Sequence, residues 1–166
     1  QTIFVGTALF SAFNPKYITY IGLMNDSPFT QIIELLHNAG LRPTKQRIAL
    51  ARLLFDEGNR HVTAEDLYRE AQKANIPLTL ATVYNTLHQF TSAGLLREMV
   101  VKPGRTYFDT NLTDHHHFFF EDTGRIEDIP ENLVSISHLP AAPKGTVLNR
   151  VDVVLRLKAS SQVKNN

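Results

Sequence analysis

Three consecutive histidines, His115, His116 and His117, lie in the stretch DTNLTDHHHFFFEDTGRIED, among the carboxylates of Asp109, Asp114, Glu121, Asp122, Glu127 and Asp128. Imidazole and carboxylate together suit a borderline divalent metal such as zinc, manganese or iron. Phe118, Phe119 and Phe120 follow at once. If this run is a strand, side chains alternate between its faces, so His115 and His117 point one way and His116 the other. Two histidines on one face can share an ion, while the middle one serves something else. The same residues also fit a solvated, histidine-rich loop end before a buried strand, and spacing alone leaves both readings open.

A different chemistry lies upstream, between Pro77 and Gly94. Thr79 suits a helix N-cap. Leu80, Val83, Leu87 and Phe90 then fall at i, i+3, i+7 and i+10, which makes one buried face. The opposite side carries Thr82, Tyr84, Asn85, His88 and Gln89. These groups can meet base edges, thymine methyls and phosphates, unlike a bland Glu/Lys solvent face.

The elements that must position these residues are legible in the pattern. Ile32, Ile33, Leu35 and Leu36 lead to a helix stop at Gly40. Thr44 can cap a second helix, with Ile48, Leu50, Ala51, Leu53 and Leu54 at helical spacing, ending near Gly58. Thr63 followed by Asp66 has the spacing of a capping arrangement, and Ala64, Leu67, Tyr68 and Ala71 form a third stripe. After Gly94, Leu95 to Val101 and Thr106 to Phe108 read as strands joined by Lys102-Pro103-Gly104-Arg105.

Helices followed by a basic-tipped hairpin outline a winged helix-turn-helix. The last helix would enter the major groove, and Lys102 and Arg105 would meet the DNA backbone. An ordinary small α+β domain with a basic surface has the same outline. Beyond Asp128, Pro130-Glu131-Asn132 opens a short helix through Leu133, Val134 and Ile136. Leu139 to Gly145 is a loop, and Arg150 to Lys158 alternates as a strand. This back half has little core of its own and needs a metal or a partner subunit, which points to a strand-pairing homodimer.

Composition bounds the rest. At 166 residues, 43% hydrophobic and 20% charged, the chain suits one domain or two small ones in a soluble globular protein. It has no cysteine, which excludes disulfides and thiolate metal sites and makes a cytoplasmic location the simple expectation. Charge is uneven: ten basic residues face six acids from Leu36 to Phe108, whereas six face eight from Asp109 onward. A basic front suits a polyanion and an acidic, histidine-bearing back suits a cation. Gln1 to Phe13 is apolar and uncharged, but no basic run precedes it and it is too short to span a bilayer. It reads as a truncated leader, an upstream-extended reading frame or a disordered arm.

The expected fold class is α+β, an N-terminal winged helix-turn-helix domain followed by a small α/β dimerisation domain. An atypical extension covers 1–27, the winged helix 28–109, the metal-binding dimerisation domain 110–158 and a polar tail 159–166. Metal sites of this composition also occur in hydrolases. No nucleophile constellation or phosphate loop accompanies this one, so no enzyme is expected.

The run GLRPTKQR (Gly40 to Arg47), then HVTAEDLY (His61 to Tyr68) and LTLATVYNTL (Leu78 to Leu87), resembles the ferric uptake regulator family. GRTYFD (Gly104 to Asp109) and HHHFFFEDTGRIED (His115 to Asp128) continue the likeness in order. The triple histidine and missing cysteines look most like its iron-response regulator branch, which responds to haem. The resemblance implies a dimeric regulator that binds AT-rich double-stranded DNA, with Tyr84 against thymines. It maps the regulatory metal site, for Fe²⁺, Mn²⁺ or Zn²⁺, onto His61, Asp109, His115, His117 and Asp128. A second metal or haem would use Asp114, His115, His116 and His117. DNA contacts fall to Arg42, Lys45, Thr82, Tyr84, Asn85, His88, Lys102 and Arg105.

Departures narrow these expectations. Asn85 stands where many relatives carry arginine; it prefers adenine edges and brings no charge. The first half of the family's CxxC zinc pair falls at Phe120 and Thr123, so no all-cysteine structural zinc can form. Cysteine-based peroxide sensing is excluded too, and haem would have to use histidine. The expected function is control of iron and haem genes, with DNA binding governed by a divalent metal and by haem. Direct iron, manganese or zinc sensing by a repressor without haem is the alternative.

Overall fold

Among the described residues, each α-helix starts on a hydroxyl side chain. The computed structural model describes residues 27–160, and the expectations for the N-terminal extension and the end of the polar tail lie outside the described residues. Helix α1 spans Pro28–Asn38, with Ser27 accepting from the Thr30 N–H and proline at its first position. Helix α2, Lys45–Phe55, is capped by Thr44, and α3, Ala64–Lys73, by Thr63. Helix α4, Leu80–Ser92, is capped by Thr79, whose side chain accepts from the Thr82 N–H. These oxygens satisfy helix-end donors that have no partner within the helix.

Three of the helices also end alike. Gly40, Asn75 and Gly94 take left-handed φ values of 72°, 55° and 73°. The N–H of the following residue then reaches back, Leu41 to Leu36 at 2.8 Å, Ile76 to Ala71 at 2.9 Å and Leu95 to Phe90 at 2.8 Å. This closes each helix and turns an apolar side chain inward. It also corrects one expectation. The strand after Gly94 starts at Arg97 rather than Leu95, because the Leu95 N–H is spent on ending α4.

Contacts divide the chain into two compact units, with the break between Leu112 and Thr113. Thr110 belongs with the first: its N–H donates to the Arg60 carbonyl at 3.1 Å, and its hydroxyl accepts from the Arg60 N–H at 2.8 Å.

Among the described residues, the first unit holds these four helices and a three-stranded antiparallel sheet in the order β1-β3-β2. Its strands are β1 (His61–Val62), β2 (Arg97–Lys102) and β3 (Arg105–Asp109). Strands β2 and β3 form the expected hairpin, in which Pro103 and Gly104 lie between the paired Lys102 and Arg105. Gly104 has φ 74°, which the third position of a type II turn requires. Leu36, Leu50, Leu54, Leu67, Val83, Leu87, Phe90 and Phe108 are fully buried together. Val83, Leu87 and Phe90 are the expected inner face of α4, while Leu80 is only half-buried.

The second unit is a sheet ordered β5-β4-β6, made of β4 (His115–Phe120), β5 (Arg125–Pro130) and β6 (Val154–Leu157). Strand β5 runs antiparallel to β4, and β6 runs parallel to it. A parallel neighbour needs a long connection. Here it contains one 3-10 turn, Glu131–Leu133, in place of the longer helix expected through Ile136. Val134 is already extended, at φ −119° and ψ 120°. The β-branched Val134 and Ile136 alternate with Ser135 and Ser137, a run that disfavours helix. Strand β6 is likewise shorter than the expected 150–158.

Candidate metal centre and nucleic-acid face

The histidine run forms β4, so the loop-end alternative is wrong. His115, His116 and His117 are 4%, 7% and 1% exposed. The rings of His115 and His117 lie 4.5 Å apart between centroids. Asp128, on β5, is the cross-strand partner of His117. Its Oδ1 lies 3.4 Å from the His115 Nε2. His115, His117 and Asp128 each offer a ligand atom, all within 4.8 Å of one another.

Hydrogen bonding orients this group. The His115 Nδ1 is 2.7 Å from the Thr113 carbonyl, which can only accept, so Nδ1 donates this bond and Nε2 is the ring nitrogen left facing Asp128. Two imidazoles and one carboxylate converging in this way fit a divalent metal and leave coordination positions for further ligands.

His116 is engaged elsewhere. Its Nδ1 accepts from the Val153 N–H at 3.4 Å, which ties β4 to the chain entering β6. Asp114 is exposed, and neither residue joins the donor group of His115, His117 and Asp128. The other acids of the stretch are also used: Glu121 meets Arg156 and Lys158, and Asp122 accepts from the Ala159 N–H.

The first unit carries a histidine–carboxylate pair of its own. His61 on β1 is the cross-strand partner of Asp109 on β3, with 3.6 Å between the His61 Nε2 and the Asp109 Oδ1. Asp109 is fully buried and accepts from the Asn111 N–H at 2.7 Å. The bonds between Arg60 and Thr110 flank this pair and fix the strand ends that present it.

Of the residues expected to meet DNA, Asn85 and His88 are exposed on α4, while Thr82 and Tyr84 are half-buried. Arg42 and Lys45 are exposed at the start of α2, and Lys102 and Arg105 at the hairpin tip. Helix α4 has no lysine or arginine. Its polar side chains are instead held by neighbouring elements. The Tyr84 hydroxyl donates to the Glu65 carboxylate at 2.7 Å, and the Tyr84 and His88 rings stack 6.3 Å apart. His88 Nδ1 lies 3.5 Å from Glu98. Arg47 donates to the Gln89 side-chain oxygen from Nε at 3.1 Å and from Nη2 at 2.9 Å. Its Nη1 donates to the Arg42 carbonyl at 2.8 Å, so α2, its entry loop and α4 are joined through one guanidinium.

The bond from Tyr84 holds the Glu65 carboxyl below its ordinary value, and that carboxylate pushes the Tyr84 phenol up. Arg47, Glu65 and Glu98 were not foreseen as parts of this face. Their partners stand 42, 19 and 10 positions away, and no local pattern marks them.

Comparison with known proteins agrees with the architecture. The model of the ferric uptake regulator family matches residues 38–155. A ferric uptake regulation protein of Cupriavidus metallidurans is 37% identical over 94 residues, covering 56% of this chain and 66% of that protein. The corresponding protein of Escherichia coli K12 is 31% identical over 110 residues, covering 66% and 74%. The structure of a ferric uptake regulator from Pseudomonas aeruginosa with manganese superposes at a TM-score of 0.59 with 27% identity, covering 77% of this chain and 97% of that one. The chain belongs to the ferric uptake regulator family. This is a family of metal-responsive transcription regulators, not of enzymes. Among the described residues, no helix is long and apolar enough to cross a membrane.

Proposed function

We propose that this protein is a homodimeric transcription regulator whose affinity for AT-rich operator DNA is set by a divalent metal. The observation that carries this reading is the convergent donor group of His115, His117 and Asp128, in a family member whose first unit has the element order of a winged helix. Family membership supports adding His61 and Asp109 as ligands from the first unit. When bound, the ion supplies a fixed coordination link among these side chains. Its effect on DNA is a coupling free energy between two sites. His115 and His117 supply neutral nitrogens, and Asp128 and Asp109 supply the compensating charge.

The DNA contacts follow from residue chemistry. Thr82, Tyr84, Asn85 and His88 face base edges from α4, with Tyr84 against thymine and Asn85 toward adenine. Arg42, Lys45, Lys102 and Arg105 supply phosphate contacts, which α4 itself cannot provide with cationic side chains.

Two readings of the signal differ in the ligand, iron or another divalent ion sensed directly as against haem at His115 to His117. The bond from Val153 to the His116 Nδ1 and the near-complete burial of all three rings favour direct sensing by a repressor, because haem iron needs an imidazole it can approach. The test is DNA binding to a duplex selected from a random pool, titrated with Mn²⁺, Zn²⁺ and Fe²⁺, for the wild type and His117→Ala. Metal should strengthen wild-type binding at least tenfold and leave His117→Ala unchanged. Metal dependence that survives in His117→Ala sinks the assignment. A saturable Soret shift accompanied by DNA release would instead restore haem control.

A further inference from the structure

Tyr84 is the α4 residue placed to meet bases, yet its hydroxyl is bound to an acid. The phenol donates to the Glu65 Oε1 at 2.7 Å, joining the first turn of α3 to α4. Glu65 is exposed and Tyr84 is half-buried, its ring packed against the core while its hydroxyl meets Glu65 at the exposed edge of the two helices. On its other side the Tyr84 ring stacks on His88. Ring orientation is therefore fixed from both sides, by a charge-assisted bond and by a stack. The same corner holds the wing: Arg105 lies 3.9 Å from Asp66, the neighbour of Glu65.

A free phenol hydroxyl on a DNA-facing helix is a donor to any phosphate oxygen, and phosphate contacts carry no sequence information. A hydroxyl already committed to a carboxylate leaves only the ring to interact, and a ring discriminates by apolar contact with the thymine methyl. We propose that Glu65 is a specificity-determining positioning residue. It acts through Tyr84, occupying the hydroxyl so that this side chain reads bases and does not bind backbone indiscriminately. The inference rests on the DNA-regulator reading above.

Glu65→Asp separates the bond from the charge. It keeps the carboxylate and its repulsion of phosphate but shortens the side chain by one methylene, out of reach of Tyr84. The measurement is the ratio of affinities for a selected duplex and a random-sequence duplex, at one metal and one salt concentration. Four proteins are compared: wild type, Glu65→Asp, Tyr84→Phe and the double variant. Glu65→Asp should lower the ratio about fivefold, the factor one net hydrogen bond supplies, by tightening binding to the random duplex. In the Tyr84→Phe background the same change should leave the ratio within twofold, since no hydroxyl remains to release. Spectrophotometric titration of tyrosine should show one phenol returning toward its ordinary value in Glu65→Asp. Thermal unfolding checks that the variants fold.

An unchanged ratio in Glu65→Asp overturns the inference, as does an equal drop in both backgrounds, which would mean that Glu65 does not act through the Tyr84 hydroxyl. Failure of the wild type to bind any duplex with any of the metals overturns the DNA-regulator reading itself, and this inference with it. That outcome is distinct from wild-type binding with an unaltered ratio.

Discussion

Replacing Asp128 by asparagine tests the metal group with the least disturbance to its scaffold. The side chain is 29% exposed, and the substitution keeps its shape and the β4–β5 pairing while removing the one anionic donor beside His115 and His117. Even changes to residues that merely orient a metal ligand weaken binding about 10–100-fold, so a loss of about 30-fold is a conservative expectation for a ligand itself. With free Mn²⁺ at 100 times the wild-type Kd, binding to the folded state adds about 2.7 kcal/mol. At the same concentration the variant sits near three times its own Kd, and the stabilisation drops to about 0.8 kcal/mol. At about 3 °C per kcal/mol for a chain of this size, the metal-induced rise in Tm should fall from about 8 °C to about 2 °C. Circular dichroism melts with and without the ion measure both values. Retention of the full rise in Asp128→Asn refutes the ligand assignment. An equal fall in the Tm of the ion-free variant would show instead that Asp128 supports the sheet.

Two further outcomes test the frame around the site. Thr63→Val removes the hydroxyl that accepts from the Asp66 N–H at 3.2 Å and donates to the Asp66 carboxylate at 2.7 Å. Losing the cap and a charge-assisted bond should cost about 2–3 kcal/mol in urea unfolding. Burial pushes the Asp66 carboxyl up, but bonds from Thr63 and Arg69 outweigh it and hold its pKa below the ordinary value. Stability from this group is therefore present above the usual aspartate range and is lost as pH falls through the depressed value. Thr63→Val should flatten that acid-side decline. At the hairpin tip, Gly104→Ala meets no neighbouring atom within 4 Å, so only the left-handed φ of 74° resists it. A loss of about 1 kcal/mol is expected in the same assay, and no loss would mean the turn has relaxed to another type.

Much of the fold was legible because it is written in short-range chemistry. Thr44, Thr63 and Thr79 cap helices through bonds that span three residues, so a reader of the sequence sees donor and acceptor together. Gly40 and Gly94 mark helix ends for the same reason; Asn75 does so less openly, since asparagine has several other uses. The alternation that put His115 and His117 on one face is fixed by strand geometry alone and needs no knowledge of a partner. The short helix expected after Pro130 came from a weak local signal and shrank to one turn.

The sequence by itself determined the donor chemistry, the caps and the amphipathic faces, because each is settled within a few residues by backbone geometry. Tertiary structure alone decided that Asp128 stands opposite His117, and that His116 binds the backbone at Val153. It also decided that β6 joins β4 in parallel, that Arg47 grips Gln89, and that Glu65 holds Tyr84. Each of these pairs is distant along the chain. Which distant groups meet depends on the path of the backbone through the whole unit, since a hydrogen bond of 3 Å tolerates little error in where that path places its two ends.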